Sequence, residues 1–164
     1  METEEYLHAF ELERNGEVAQ AEALIRKLAL VENPFALFEL AIRYRPDCSF
    51  SDTEWKPESN METAEDYAMQ ALAVLKRGVE QNNAEAMRYL GEVYCGFYWP
   101  EFKNFELVEP LWLKSFEHGC FFVANELFTL HQSTDTEKAS RWYQEAEKHN
   151  CRVVYHAAYE QKET

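Results

Sequence analysis

The sequence predicts an all-α fold, an α-solenoid in which about four imperfect helix-turn-helix repeats stack in a right-handed row. Apolar, small and aromatic residues recur in one order after shifts of 50, 37 and 31 residues. Within each copy they are spaced three and four apart, as on one face of a helix. The first two copies are Ala21, Ile25, Leu28, Ala36, Leu40 and Tyr44, and then Ala71, Leu75, Gly78, Ala86, Leu90 and Tyr94.

The repeats organise residues 1–164 into one predicted domain with about nine helices. Ser59 to Glu62 and Thr134 to Glu137 match capping boxes, in which a hydroxyl and a carboxylate bind free backbone amides at a helix start. Glycines and asparagines, Gly78 among them, mark ends or turns because they tolerate a left-handed backbone. The predicted units cover residues 17–44, 62–95, 104–131 and 135–160, and two insertions cover residues 45–61 and 96–103.

Both insertions fall at the same point of the repeat, and both are rich in aromatic residues. The first contains Trp55, and the second contains Phe97, Tyr98 and Trp99. Because the insertions take the same place in the repeat, we expect them on one edge of the stack. Two interpretations are open: the loops fold back as lids on the core, or they present a partner-binding patch.

The composition favours a basic protein as the partner. Lys and Arg number 16 against 30 Asp and Glu, which gives a net charge of −14. Such a charge repels phosphate backbones and anionic membranes and attracts cationic surfaces, so neither nucleic acid nor a membrane is an expected partner. The alternative is that the negative charge only maintains solubility.

The sequence favours a cytoplasmic location. Residues 1–13 contain acidic residues, no Lys or Arg and no apolar run, unlike a signal peptide. No CxxC pair occurs among the four cysteines, which is typical of reduced thiols in a helical domain. They are Cys48, Cys95, Cys120 and Cys151.

Two segments resemble the helices of a known repeat family. Residues 84–96 resemble an A-x-x-x-L-G-x-x-Y-x-x-G helix, and residues 135–146 resemble a D-x-x-K-A-x-x-W-Y-x-x-A helix. Both patterns are typical of the helices of Sel-one-like repeats, which are short-turn relatives of tetratricopeptide repeats. The resemblance covers most of the chain from about Glu17 onward, although the third unit has Phe128 in place of the glycine.

This resemblance implies an α-solenoid with a concave groove that grips other proteins and has no catalytic activity of its own. Some small bacterial members of the family are immunity proteins that block a cognate toxin. The resemblance therefore admits an immunity-type role for this chain.

Partner contacts are predicted in two places. The first helix of each unit should line the groove, so its positions pointing away from the core should contact the partner. The predicted groove residues are Phe38, Ile42, Arg88, Glu92, Asn125, Thr129 and His156. The second candidate, a loop patch, consists of Trp55, Phe97, Tyr98 and Trp99.

Catalytic chemistry is not expected. The most enzyme-like feature is the duplicated pair of His118 with Cys120 and His149 with Cys151, since imidazole and thiolate are the ligands that zinc prefers. The two pairs occupy equivalent places in adjacent units and should lie about 10 Å apart, so no metal site is predicted. No nucleophile, phosphate-loop or metalloprotease motif occurs in the chain.

We therefore expect a non-catalytic protein-binding module without cofactor or small-molecule substrate. Its most specific form is an acidic immunity protein that neutralises a basic toxin. The alternatives are an adaptor that holds a peptide or helix of a signalling or assembly partner and, more remotely, a metal-dependent enzyme that uses the His and Cys pairs.

Overall fold

The computed structural model describes residues 3–48 and 55–152, and over these ranges it is all-helical. The described residues form eight α-helices, three short 3₁₀ turns and no strand, which confirms the all-α class. The last part of the fourth predicted unit, residues 153–160, lies outside the described ranges. The helices are α1 (Thr3–Arg14), α2 (Val18–Leu30), α3 (Pro34–Tyr44), α4 (Met61–Glu80), α5 (Ala84–Cys95), α6 (Val108–Glu117), α7 (Ala124–His131) and α8 (Thr136–Lys148).

Helix starts are capped by side-chain amides and carboxylates rather than by the predicted hydroxyls. Asn60 Oδ1 accepts from the Thr63 amide at 3.0 Å, and Asp135 Oδ1 accepts from the Lys138 amide at the same distance. Asn33 and Asn83 cap α3 and α5 in the same way. Each cap satisfies a backbone donor that a helix leaves unpaired at its first turn.

Gly78, which was predicted to mark a helix end or a turn, lies in the last turn of α4. A Cβ atom at this position would collide with the Cβ of Ala86. Gly91 has the same role in α5, because a Cβ there would overlap the indole of Trp112 on α6. Glycine is therefore required at these two positions for close helix packing.

The described residues divide into two compact units. The first lies within Met1–Arg77 and Phe97–Glu101, and the second within Gly78–Gly96 and Phe102–Thr164. The most extensive helix contacts within the units join α1 to α2, α5 to α6 and α7 to α8. The predicted repeats instead pair α2 with α3, α4 with α5 and α6 with α7, so their boundaries are shifted by one helix. A single repeat domain over residues 1–164 stays a prediction.

The core of the first unit is built around a buried arginine. Arg43 on α3 is only 1% exposed and donates to Glu13 of α1 at 2.8 Å and to Glu39 of its own helix at 2.6 Å. Its third contact is a 2.7 Å hydrogen bond to the backbone carbonyl of Trp55. The guanidinium thus joins α1, α3 and the first insertion.

The core of the second unit is an apolar layer between α6, α7 and α8. Trp112 and Trp142 fill it, and small residues such as Ala139 and Ala146 let the helices approach one another. Trp112 Nε1 donates to the Arg88 carbonyl at 3.0 Å.

Among the described residues, no helix has the length and apolar character needed to cross a bilayer.

Candidate functional site

The groove predicted on α3 is closed by the chain itself. Phe38 is 2% exposed, because the ring of Tyr98 from the second insertion stacks on it at a centroid distance of 5.2 Å. The expectation that Phe38 points away from the core is therefore wrong. Ile42, one turn further along α3, is half-buried.

The second insertion is held down by Arg45. Its guanidinium donates to Glu101 at 3.2 Å and to both oxygens of Asp47 at 2.7 and 2.8 Å. It also lies 4.6 Å from the centre of the Trp99 ring. These contacts hold the part of the segment that follows Tyr98.

Three of the four predicted patch residues are therefore lids rather than free surface. Trp55 and Trp99 are buried, and Tyr98 is half-buried against Phe38. Phe97 is the exception, with 76% of its surface exposed. The loop patch reduces to this single ring as a candidate contact.

Asn125 on α7 is 0% exposed, so the expectation that it lines a groove is wrong. Its amide donates to the carbonyl oxygens of Phe122 at 2.7 Å and Cys151 at 3.0 Å. The side chain thus joins the start of α7 to the segment after α8 and satisfies two backbone acceptors. Thr129, one turn further along, is exposed, and its hydroxyl donates to the Asn125 carbonyl at 2.9 Å.

Arg88 and Glu92, both predicted, lie together in an ion cluster completed by Glu126. Arg88 contacts Glu92 at 2.9 Å within α5 and Glu126 of α7 at 2.6 Å. All three side chains are mostly buried yet reach the surface, with exposed fractions of 13 to 17%. Charge-assisted pairs at these distances hold the guanidinium in one position.

Aromatic rings flank this guanidinium. The ring centre of Phe122 lies 4.6 Å from Arg88 Cζ, and that of Tyr89 lies 4.8 Å away. Phe122 remains 40% exposed. We call the surface formed by Arg88, Glu92, Phe122, Glu126 and Thr129 the Arg88 face.

The electrostatics of the Arg88 face favour an additional donor. Burial raises the pKa of Glu126 above its ordinary value, and Arg88 opposes that shift. Burial alone would lower the pKa of Arg88, but Glu126 and Glu92 raise it above its ordinary value, so the guanidinium stays charged. In the described part of the chain, Glu126 Oε2 is buried and has no hydrogen-bond partner. A buried acceptor without a donor is costly, and a rotation of the carboxylate that exposes Oε2 to a donor from water or from a partner would relieve that cost.

Sequence reasoning missed Phe122 and Glu126. Glu126 corresponds to Tyr89 by the shift of 37 residues, so it was one position away from the groove residues that were predicted. Phe122 lies in the 3₁₀ turn Phe121–Val123, which has no counterpart in the helical pattern. His156, the last predicted groove residue, lies outside the described ranges.

The His and Cys pairs do not assemble a metal site within residues 3–48 and 55–152. There, no group of three or more His, Cys, Asp or Glu side chains is placed to hold an ion. His149 stacks on Phe121 with ring centres 3.7 Å apart, and His118 Nδ1 lies 2.9 Å from the Lys114 carbonyl. The Cys151 thiol points to the Phe121 carbonyl at 3.4 Å. These side chains are engaged in the packing of turns.

The two sequence segments that resemble Sel-one-like repeats coincide with two helices of the structure. Residues 84–95 form α5, and residues 136–148 form α8, with Asp135 as the cap. Comparison of the chain with protein-family models, with curated proteins and with solved structures found no match.

Proposed function

We propose that this chain is a non-catalytic protein-binding module of the Sel-one-like type, a right-handed α-solenoid that acts in the cytoplasm without a cofactor. The helical hairpins α1–α2, α5–α6 and α7–α8 support the repeat architecture. The close approach at Gly91 supports it as well, because this is a small position of the family's first helix. Stacked helical pairs of this kind present extended surfaces for protein partners.

The Arg88 face is the observation that carries the proposal. It combines an arginine fixed by two carboxylates, an exposed aromatic ring and an unsatisfied buried oxygen. Arginine and aromatic side chains contribute most to affinity in protein interfaces when they are held in place before binding. The carboxylates would select a partner that brings cationic donors.

The most specific form of the proposal is an immunity-type inhibitor that occludes a basic toxin, such as a nuclease. The net charge of −14 would accelerate association with a cationic protein. Glu92 and Glu126 would then pair with basic side chains of the toxin at the interface. Inhibition would be steric and electrostatic, because the module only covers the toxin's active surface.

An adaptor is the second candidate, and Phe97 favours it. This exposed ring sits on the segment held by Arg45 and Tyr98, so it is available as an apolar anchor whose affinity does not depend on charge. An adaptor of this kind would hold a peptide or helix of a signalling or assembly partner.

A matched pair of charge insertions tests the Arg88 face. The partner is first recovered by co-purification from the native host at low salt, and its affinity is measured by calorimetry. Thr129→Arg adds a long cationic side chain to the face, and Gln144→Arg adds the same charge to an exposed position of α8. We expect Thr129→Arg to weaken binding by about tenfold or more, because the new charge opposes a basic partner and its bulk separates the surfaces. Gln144→Arg should change the affinity by less than about threefold.

Equal effects of the two variants would remove the Arg88 face from the interface. Recovery of no protein partner would contradict both the inhibitor and the adaptor. The two are distinguished by activity and affinity: an inhibitor abolishes the partner's toxicity at equimolar ratio with a nanomolar or lower dissociation constant, whereas an adaptor binds a short peptide more weakly.

A further inference from the structure

The first unit contains an open cleft that the protein-binding proposal does not use. It lies between α2, α3 and α4 and has a volume of about 590 Å³. Leu37 and Leu40 of α3 are buried at its bottom, and Ala29 and Leu30 of α2 form an apolar wall. Leu30 is 86% exposed, so apolar surface continues from the cleft to the rim. This volume is in the range of small-molecule sites.

Three of the four polar side chains at the cleft can donate hydrogen bonds. Arg26, Tyr67 and Gln70 line it together with Glu32. Glu32 is already paired with Arg77 at 2.6 Å, which satisfies much of its charge. An arginine, a phenol and an amide above an apolar floor match a ligand that has an acceptor group on an apolar body.

Arg26 is held in place but keeps donors for a ligand. Its Nε donates to Glu22 at 2.8 Å, and its guanidinium lies 5.2 Å from the centre of the Trp55 ring. Within residues 3–48 and 55–152, the terminal nitrogens Nη1 and Nη2 make only long contacts of 3.5 Å with the Tyr44 hydroxyl. A carboxylate can take up these two nitrogens in a bidentate pair, which is the geometry that guanidinium favours.

We propose that this cleft is a binding site for an apolar carboxylic acid, whose carboxylate pairs with Arg26 and whose hydrocarbon part covers Leu37 and Leu40. The net charge of −14 does not forbid an anion there. At physiological ionic strength distant charges are screened beyond about 8 Å, so the adjacent guanidinium dominates. The same chemistry is offered by a free acyl carboxylate and by the C-terminus of a peptide that ends in leucine.

Octanoate and N-acetylleucine are the probes, one for each source, and octanol and octylammonium are their neutral and cationic counterparts. Binding to the full chain is measured by calorimetry, and its location by NMR of the leucine methyl groups. We expect saturable binding of at least one carboxylate, with shifts at Leu37 and Leu40. Octanol should bind about tenfold or more weakly, because it lacks the charge-assisted pair with Arg26. The tighter carboxylate identifies the source.

Two pairs of variants locate the contacts. Arg26→Gln should reduce the affinity for the carboxylate by about tenfold and leave octanol unchanged, while Arg14→Gln, which removes an exposed guanidinium that does not line the cleft, should leave both unchanged. Leu30→Ser should weaken both probes. Its neighbour Val31→Ser is the control, since Val31 is also exposed but does not line the cleft.

Leu30 is largely exposed, so its substitution tests the cleft even if Arg26→Gln disturbs folding. Absence of saturable carboxylate binding would overturn the proposal. So would methyl shifts confined to other leucines, equal binding of octylammonium, or equal effects of Leu30→Ser and Val31→Ser. The protein-binding proposal is unaffected by any of these outcomes, because Thr129 and the Arg88 face belong to the other unit.

Discussion

Glu39 is a carboxylate that folding places in an unfavourable environment. Burial raises its pKa above the ordinary 4.5, and the charge of Arg43 opposes the shift without cancelling it. The Tyr6 hydroxyl, 3.4 Å from Glu39 Oε2, donates to it from α1. One guanidinium therefore serves two buried carboxylates, Glu13 and Glu39.

This shift predicts that the first unit gains stability on mild acidification. Because the folded pKa of Glu39 is higher than the unfolded value, its contribution to the free energy of unfolding is complete below pH 4.5 and is lost as pH rises through the folded pKa. We expect Glu39→Gln to remove this part of the pH dependence, since glutamine is neutral throughout. Chemical denaturation at several pH values between 7 and 4.5 measures the slope.

Glu62→Gln provides the reference slope, because it removes a carboxylate from an exposed position of α4. The denaturation measurements stop at pH 4.5 so that protonation of Asp47 does not contribute to the slope. Arg45 lowers the pKa of Asp47 below 3.8, so that contribution is lost only under more acidic conditions and would have the opposite sign. A slope for Glu39→Gln equal to that of Glu62→Gln would contradict the assignment.

The segment Phe97–Glu101 shows how an insertion becomes part of a core. Tyr98 covers Phe38, and Trp99 is buried. Arg45 binds both Asp47 of the first insertion and Glu101 of this segment. Aromatic burial supplies the stabilising free energy, while the ion pairs select one conformation of the loop.

Removal of this arginine should loosen the segment without unfolding the helices. We expect Arg45→Ala to accelerate backbone amide exchange over residues 97–101 by about tenfold or more, because the charged hydrogen bonds to Asp47 and Glu101 are lost. Exchange measured by mass spectrometry resolves the segment. Arg77→Ala, which breaks an exposed pair with Glu32, is the control and should leave it unchanged. Unchanged exchange in both variants would mean that Tyr98 and Trp99 alone hold the loop.

Elements that depend on local spacing could be predicted from the sequence, and contacts between distant segments could not. The periodicity of small and apolar residues predicts α4 to α8 because a helix face is a local property. That Tyr98 covers Phe38 depends on a contact between residues 60 positions apart, which no local pattern encodes. The cleft beside Arg26 was missed for the same reason.

The candidate site shows the same difference between what local spacing predicts and what distant contacts decide. The shift of 37 residues predicts Arg88 as a groove residue, and its side chain does reach the surface, but its pair with Glu126 of α7 was not predicted. It also assigns Asn125 to the surface, and this is wrong because the Asn125 side chain is buried and donates to two backbone carbonyl groups. A repeat offset equates positions on a helix, but it does not show which neighbour covers each position.

The net charge of −14 and the Arg88 face make separable contributions to binding. A field of one sign acts before contact and changes the association rate, whereas fitted side chains act after contact and change the dissociation rate. Salt screens the first contribution much more than the second, because buried pairs are shielded from ions. Kinetics can therefore distinguish general attraction from a specific surface.

Association with a basic partner should accordingly slow as salt is raised, while dissociation changes little. Between low and high ionic strength we expect the association rate constant to fall on the order of tenfold, measured by stopped flow. Thr129→Arg and Gln144→Arg change the net charge equally, to −14 + 1 = −13, so both should lower the association rate to a similar, small extent. Only Thr129→Arg should also raise the dissociation rate, because only Thr129 lies on the Arg88 face. An association rate that salt does not alter would show that the acidic charge has no part in finding the partner. Affinity would then depend on contacts of the kind that Phe97 offers.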